Sequence, residues 1–185
     1  MSQEEKVTSQ SILKGKIIEV RTDKIRLASG SLATRDVVYH PGAVAIVPIF
    51  DDGQILLVKQ FRYATGEALI EVPAGTLEKG ETPRQCAARE LIEETGHRAK
   101  ILRKLTECYA APGYSSEIIH IFYARGLIPA HGTPDFDEFI EPMKVTAKRA
   151  INMVLSNQIK DAKTICSMLM AIKKGILQVE PLVSA

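Results

Sequence analysis

Residues 75–96 read GTLEKGETPRQCAARELIEETG, and the fold turns on how this stretch is read. Gly75 has no Cβ, so its backbone can come close to a neighbouring group. Thr82 can cap a helix, Pro83 suits a first turn, and Gly96 can close the far end. The spacing therefore predicts one helix over Pro83–Thr95. On it Glu90, Glu93 and Glu94 stand at i, i+3 and i+4 and share a face. Ala88, Leu91, Ile92 and Thr95 lie roughly opposite and are expected to meet the core. Three like charges on one face repel. Arg89 precedes Glu93 by four residues and can pair with it, but a hard divalent cation compensates better, since it takes carboxylate oxygens. The competing reading is a solvated helix face, which is common. The helix alone favours that second reading.

Upstream, Ala43–Phe50 and Gln54–Gln60 flank Asp51, Asp52 and Gly53, a strong hairpin signal because Asp-Gly accepts the positive φ of tight turns. Leu69–Val72 reads as a short strand stopped by Pro73. Further back, Ile17–Val20, Ile25–Ala28 and Asp36–Tyr39 read as short strands, with a turn at Gly30 and Ser31 and a frayed tail over residues 1–11. His40, Pro41 and Gly42 mark a boundary. Residues 1–40 thus form a small β-sheet appendage and residues 41–185 the main domain. Downstream, Ile101–Tyr109, Glu117–Ala124 and Phe139–Val145 read as strands, with a loop over Gly126–Asp137. Helices follow over Ala147–Asn157 and Ala162–Lys174. Strands outnumber helices without regular alternation, so the class is α+β.

Composition narrows the chemistry. Of the 185 residues 45% are hydrophobic, enough for a real core. Lys and Arg number 24 against 22 Asp and Glu, a balance that gives no support to a polyanion-binding surface such as a nucleic-acid binder carries. Cys86, Cys108 and Cys166 are widely spaced, so they indicate neither a disulfide framework nor a zinc site, but free thiols in a reducing compartment. The polar start, Met1–Gln10, lacks a signal-type apolar region, and no apolar run is long enough to span a membrane. A cytoplasmic location is expected. No GxxxxGK[ST] loop is present, which removes P-loop chemistry.

The spacing of Gly75, Glu81 and Arg89-Glu90-Leu91-Ile92-Glu93-Glu94-Thr95-Gly96 resembles the signature of the Nudix hydrolases. It departs at His97, where a bulky apolar residue is usual. The resemblance implies a loop-helix-loop on an α/β/α sandwich, preceded here by a small N-terminal antiparallel sheet. It implies divalent metal, Mg²⁺ or else Mn²⁺, with Glu90, Glu94 and the Ala74 carbonyl as ligands and Glu93 as a direct or water-mediated one. Arg89 would orient the carboxylates, and Glu81 would either touch metal or support the loop. A diphosphate repels nucleophiles by its own charge, and bound metal neutralises that charge and acidifies a water.

Three further stretches are similar to the ADP-ribose and ADP-sugar pyrophosphatase branch: Glu71-Val72-Pro73-Ala74-Gly75, Ala111-Pro112-Gly113-Tyr114, and Asp135-Phe136-Asp137-Glu138-Phe139-Ile140-Glu141. They imply that water cuts ADP-ribose to AMP and ribose 5-phosphate. Glu138 is the implied water-activating residue, with Asp137 and Glu141 as alternatives because Phe136 interrupts the acidic run. Substrate contacts are implied for Arg62, Glu71, Pro112 and Gly113, and for Arg35 reaching into a partner subunit of a homodimer. Arg62 reads equally well as a surface arginine, and Glu71 either pairs with it or holds the nucleoside side. The rival readings are a diphosphatase for GDP- or UDP-sugars and a non-catalytic nucleotide sensor. A sensor would have shed its box acids, whereas all three remain.

Overall fold

In the computed structural model, residues 4–132 and 139–179 are described. They fall into two compact units, Met1–Gly42 with Tyr109–Ile118, and Ala43–Cys108 with Ile119–Ala185.

The first unit is a three-stranded antiparallel sheet in the order β1 (Glu5–Lys14), β2 (Glu19–Arg26), β3 (Leu32–Tyr39). The expected frayed tail is therefore mostly strand. Its side chains are all exposed, so no alternation of apolar residues announces it, and backbone pairing with β2 makes it a strand. The two short strands expected at 17–20 and 25–28 are one, β2, running through the polar Arg21-Thr22-Asp23-Lys24. Asp23 can occupy an inward position there because the Tyr39 hydroxyl donates to its Oδ2 at 2.8 Å. The 109–118 loop is sewn to β3: Val38 N–H donates to Tyr114 O at 2.8 Å and Ser116 N–H to Val38 O at 3.0 Å.

The second unit centres on β4 (Ala43–Ile49), every residue of which is buried. Ala43, Ala45, Val47 and Ile49 enter one hydrophobic cluster, Val44 and Ile46 another. A strand that is apolar on both faces must be covered on both faces. Alpha-helix α1 (Pro83–Thr95) covers one side through Cys86, Ala87 and Leu91. Helices α2 (Ala147–Leu155) and α3 (Ala162–Lys173) cover the other through Ala150, Ile151, Met168 and Ala171. The sheet runs β10 (Ile140–Thr146), β5 (Gln54–Arg62), β4, β9 (Ile118–Pro129), β8 (His97–Tyr109), with β6 (Glu67–Glu71) on β5 and β7 (Ala74–Thr76) on β4. The β4–β9 pair is parallel, while β4 pairs antiparallel with β5 and β7. This is an α+β protein built as an α/β/α sandwich with a small antiparallel sheet. No described helix is long and apolar enough to cross a membrane.

Three differences from the sequence reading concern the site. The three-residue β7 is too short to carry a periodic signal, and pairing with Ala43–Ala45 defines it. Strand β9 continues through Gly126 to Pro129, where a loop was expected, because a lone glycine does not break a strand. The core face of α1 is Cys86, Ala87, Leu91 and Thr95, and Ala88 is exposed. That rotation turns Glu90 and Glu94 inward.

Candidate active site

The α1 start is fixed by a capping box, in which Thr82 accepts from Gln85 N–H and the Gln85 side chain accepts from Thr82 N–H. Gly96, at φ 66°, closes the helix with its N–H on Ile92 O. His97 then meets Phe50 edge-on, ring centroids 5.5 Å apart, and packs as an apolar residue would. The helix register is thus set at both ends, and so is the direction of its carboxylates.

Glu90 and Glu94 are only 8% and 6% exposed, which excludes a solvated face for them. Glu90 lies against Gly75, where an added Cβ would stand 1.8 Å from its Oε1. The missing side chain of Gly75 is the space Glu90 occupies. Glu94 Oε2 accepts from Ala74 N–H at 3.1 Å. Arg89 gathers the remaining acids. Its Nε and Nη2 reach Glu81 at 3.0 and 3.1 Å, and its Nη1 reaches Glu90 at 2.7 Å and Glu93 at 2.8 Å. Glu81 also accepts from Glu78 N–H, and so supports the loop as well as the arginine. The bond to Glu81 chiefly, with Glu93 and Glu90, raises the Arg89 pKa further against the opposing effect of burial. The same bond lowers Glu81.

Beside this cluster Arg62 grips Glu71 with two parallel bonds, Nε–Oε1 and Nη2–Oε2, both 2.8 Å. Of the two alternatives open for Glu71, pairing with Arg62 is the one observed. Glu71 is 1% exposed and also receives Lys163 Nζ from α3. Burial pushes the Glu71 carboxyl up, but the two cations outweigh it and hold it below the ordinary carboxylate range. Lys163 and its second partner Asp161, 3.0 Å away, are absent from the sequence reading. Asp161 was visible as the residue before an expected helix, but nothing local ties position 163 to position 71.

The structure therefore brings Arg62, Glu71, Ala74, Arg89, Glu90, Glu93 and Glu94 together in the second unit. Arg35, Pro112 and Gly113 belong to the first. Arg35 bonds Glu4 at 2.6 Å there, and a turn of Tyr114 and Ser115 N–H onto Ala111 O surrounds Pro112 and Gly113. Glu138, with Asp135 to Asp137, lies outside the described residues.

An inward pair of carboxylates, a glycine that makes room for one of them and an arginine shared among the acids stand together at one helix of an α/β/α sandwich. Residues 39–163 match the family model of the NUDIX domain, and the chain belongs to that family and is a hydrolase. It is 43% identical over 164 residues to the ADP-ribose pyrophosphatase of Bacillus subtilis (strain 168), covering 88% of this chain and 89% of that protein. It is 36% identical over 185 residues to the ADP-ribose pyrophosphatase of Mycobacterium tuberculosis (strain ATCC 25618 / H37Rv), covering 96% of this chain and 88% of that one. In fold it is similar to a solved ADP compounds hydrolase, with a TM-score of 0.83, 21% identity, and 96% and 97% of the two chains covered.

Hydrolases of this family generally work with divalent metal ions, and the donors here suit a hard one. They are carboxylate oxygens, three of them sharing a single arginine. Among the described residues no three His, Cys, Asp or Glu side chains are already gathered as metal ligands. Arg89 is the cation that Glu81, Glu90 and Glu93 share in this arrangement.

Proposed function

We propose that the protein hydrolyses the diphosphate linkage of ADP-ribose and related ADP-sugars, giving AMP and a sugar phosphate. The observation that carries this reading is the burial of Glu90 against Gly75 and of Glu94 on the Ala74 N–H, a placement that a solvated helix face would not need. Glu90, Glu94 and the Ala74 carbonyl would hold Mg²⁺, with Mn²⁺ as the alternative, and Glu93 would join them directly or through water. Bound metal supplies charge neutralisation at the diphosphate and a more acidic water. Arg89 keeps the carboxylates oriented, and Arg62 presents a guanidinium edge suited to phosphate or ribose. Glu138 is the residue we assign to the attacking water. Its substitution Glu138→Gln should lower kcat at unchanged metal dependence, and an unchanged kcat removes the assignment. The ADP-ribose preference rests on the relatives and on Pro112. Incubating the protein with Mg²⁺ and ADP-, GDP- and UDP-sugars and measuring released AMP, GMP and UMP tests it, since dominant GMP or UMP overturns it.

The exposed apolar residues Val7, Ile12, Leu13, Ile17 and Leu32 of the first unit favour a homodimer formed through it, with Arg35 serving the partner's site. Light scattering at micromolar concentration should give twice the chain mass, and a monomer removes this part of the proposal.

A further inference from the structure

Five consecutive residues from the end of β6 into β7 each have a separate anchor. The Glu71 side chain is held by Arg62 and Lys163. Val72 N–H donates to Thr164 Oγ1 at 2.9 Å. Pro73 O accepts from Ile46 N–H at 2.8 Å, Ala74 N–H donates to Glu94, and Gly75 packs on Glu90. Two of the five anchors come from the first turn of α3. Asp161 caps that helix by accepting from Thr164 N–H at 2.9 Å, and it also bonds Lys163. One carboxylate therefore fixes both residues that reach back to positions 71 and 72.

Arg62, Glu71, Lys163 and Asp161 alternate in charge along one line of contacts. Exposure falls from 36% at the Arg62 side chain to 1% at Glu71, so the guanidinium is the open end of a buried chain. Both bonds to Glu71 use the Nε and Nη2 edge of Arg62, which leaves the Nη1 edge for another partner. Glu94, one of the box acids, is near enough to act on Arg62 electrostatically.

We propose that Lys163 is a positioning residue for substrate recognition, acting from α3 through Glu71 to hold the Arg62 guanidinium in the orientation that meets the diphosphate sugar. The inference rests on the reading of Arg62 as a substrate contact. Glu71 alone, buried with one partner, can rotate its carboxylate about χ3. A second cation on Oε2 removes that freedom, and with it the freedom of the arginine clamped to both oxygens. An interaction made equally in the ground and transition states governs KM more than kcat.

The test is a double-mutant cycle on the full chain with Mg²⁺ and the nucleoside diphosphate sugar that the wild type hydrolyses. Lys163→Met should raise KM about tenfold while kcat changes less than about twofold, and Lys163→Arg should recover most of the loss. In an Arg62→Ala background the further effect of Lys163→Met should vanish, because residues acting in series are not additive. Additive losses, or a KM within about twofold of wild type for folded Lys163→Met, overturn the proposal. An unchanged KM for Arg62→Ala overturns it as well, while leaving the hydrolase reading intact. Failure of the wild type to release AMP from ADP-ribose bears on the substrate reading alone. Should Lys163→Met not fold, Asp161→Asn takes its place. It keeps a good helix cap but weakens the hold on Lys163, and a KM shift of about threefold, lost in the Arg62→Ala background, is expected.

Discussion

Two charge clusters sit side by side in the second unit, and they are built to different ratios. Around Arg89 three acids share one cation. Around Glu71 two cations and a second acid complete a neutral set of four. Counted over these ion pairs, the first set is net acidic and the second neutral. A net-acidic set suits a hard divalent ion, whereas a balanced, buried one serves as a fitting. The same residue types therefore serve binding in one place and positioning in the other. The ratio of charges, together with burial, separates the roles.

The largest effect is expected at Glu94, the buried acid that shares the helix face with the Arg89 set. Glu94→Gln keeps the shape and the acceptor for Ala74 N–H but removes a charge. We expect kcat to fall roughly a hundredfold or more with little change in stability, since metal at such a centre is worth several kcal/mol. Rates measured across a Mg²⁺ series check this, and excess Mg²⁺ should recover part of the loss. A wild-type rate at saturating Mg²⁺ would mean that Glu94 belongs with the positioning set. Glu93, the most exposed of the three acids, should give a milder loss as Glu93→Gln.

Breaking the balanced cluster should cost stability first. Glu71→Gln leaves Arg62 and Lys163 facing each other without the carboxylate between them. A loss of about 2 kcal/mol is expected, below the usual range for a fully buried pair because Arg62 reaches solvent. The pH dependence has a definite sign. The folded carboxyl lies below its ordinary range, so its contribution is fully present above the unfolded pKa of about 4.3 and is lost as pH falls through the lower folded value. Denaturant titrations of wild type and Glu71→Gln should differ by a constant amount at neutral pH and converge in acid. A gap that persists unchanged in acid would show that packing, not charge, carries the difference.

These clusters differ in how far the sequence reveals them. The Arg89 cluster lies within twenty-two residues of chain, where helical spacing and a capped helix end place every member. Its helix was legible to the residue, from Pro83 to Thr95. What spacing does not convey is which way the face turns: Glu90 points inward where Gly75, fifteen residues earlier, makes room, and Glu94 turns in onto the Ala74 N–H. The Glu71 cluster joins β5, β6 and α3 across the sheet, so Lys163 carries no local mark of its role. Strand β1 was illegible for a different reason. Its side chains bury nothing, and its backbone pairing leaves no trace in composition.

The smallest expected effect is the one that tests the boundary between the clusters, at Gly75. An added Cβ there would overlap the Glu90 carboxylate, 1.8 Å from Oε1 and 1.9 Å from its carbon. Both atoms are the far end of a flexible side chain, so Gly75→Ala can be accommodated by swinging Glu90 away without moving the backbone. The fold should therefore keep its melting temperature within a few degrees. The consequence falls on the Arg89 cluster, since Glu90 would lose its inward position and Arg89 one of its three acids. A fall in kcat of about tenfold is expected, with an upward shift in the Mg²⁺ needed for half-maximal rate, because a displaced ligand weakens metal binding as well as turnover. The Lys163–Glu71–Arg62 line does not pass through Gly75, so KM for the sugar should stay near wild type. If KM rises and the metal requirement does not, the strap from Glu71 to Gly75 moves as one piece, and the two clusters are a single device instead of two.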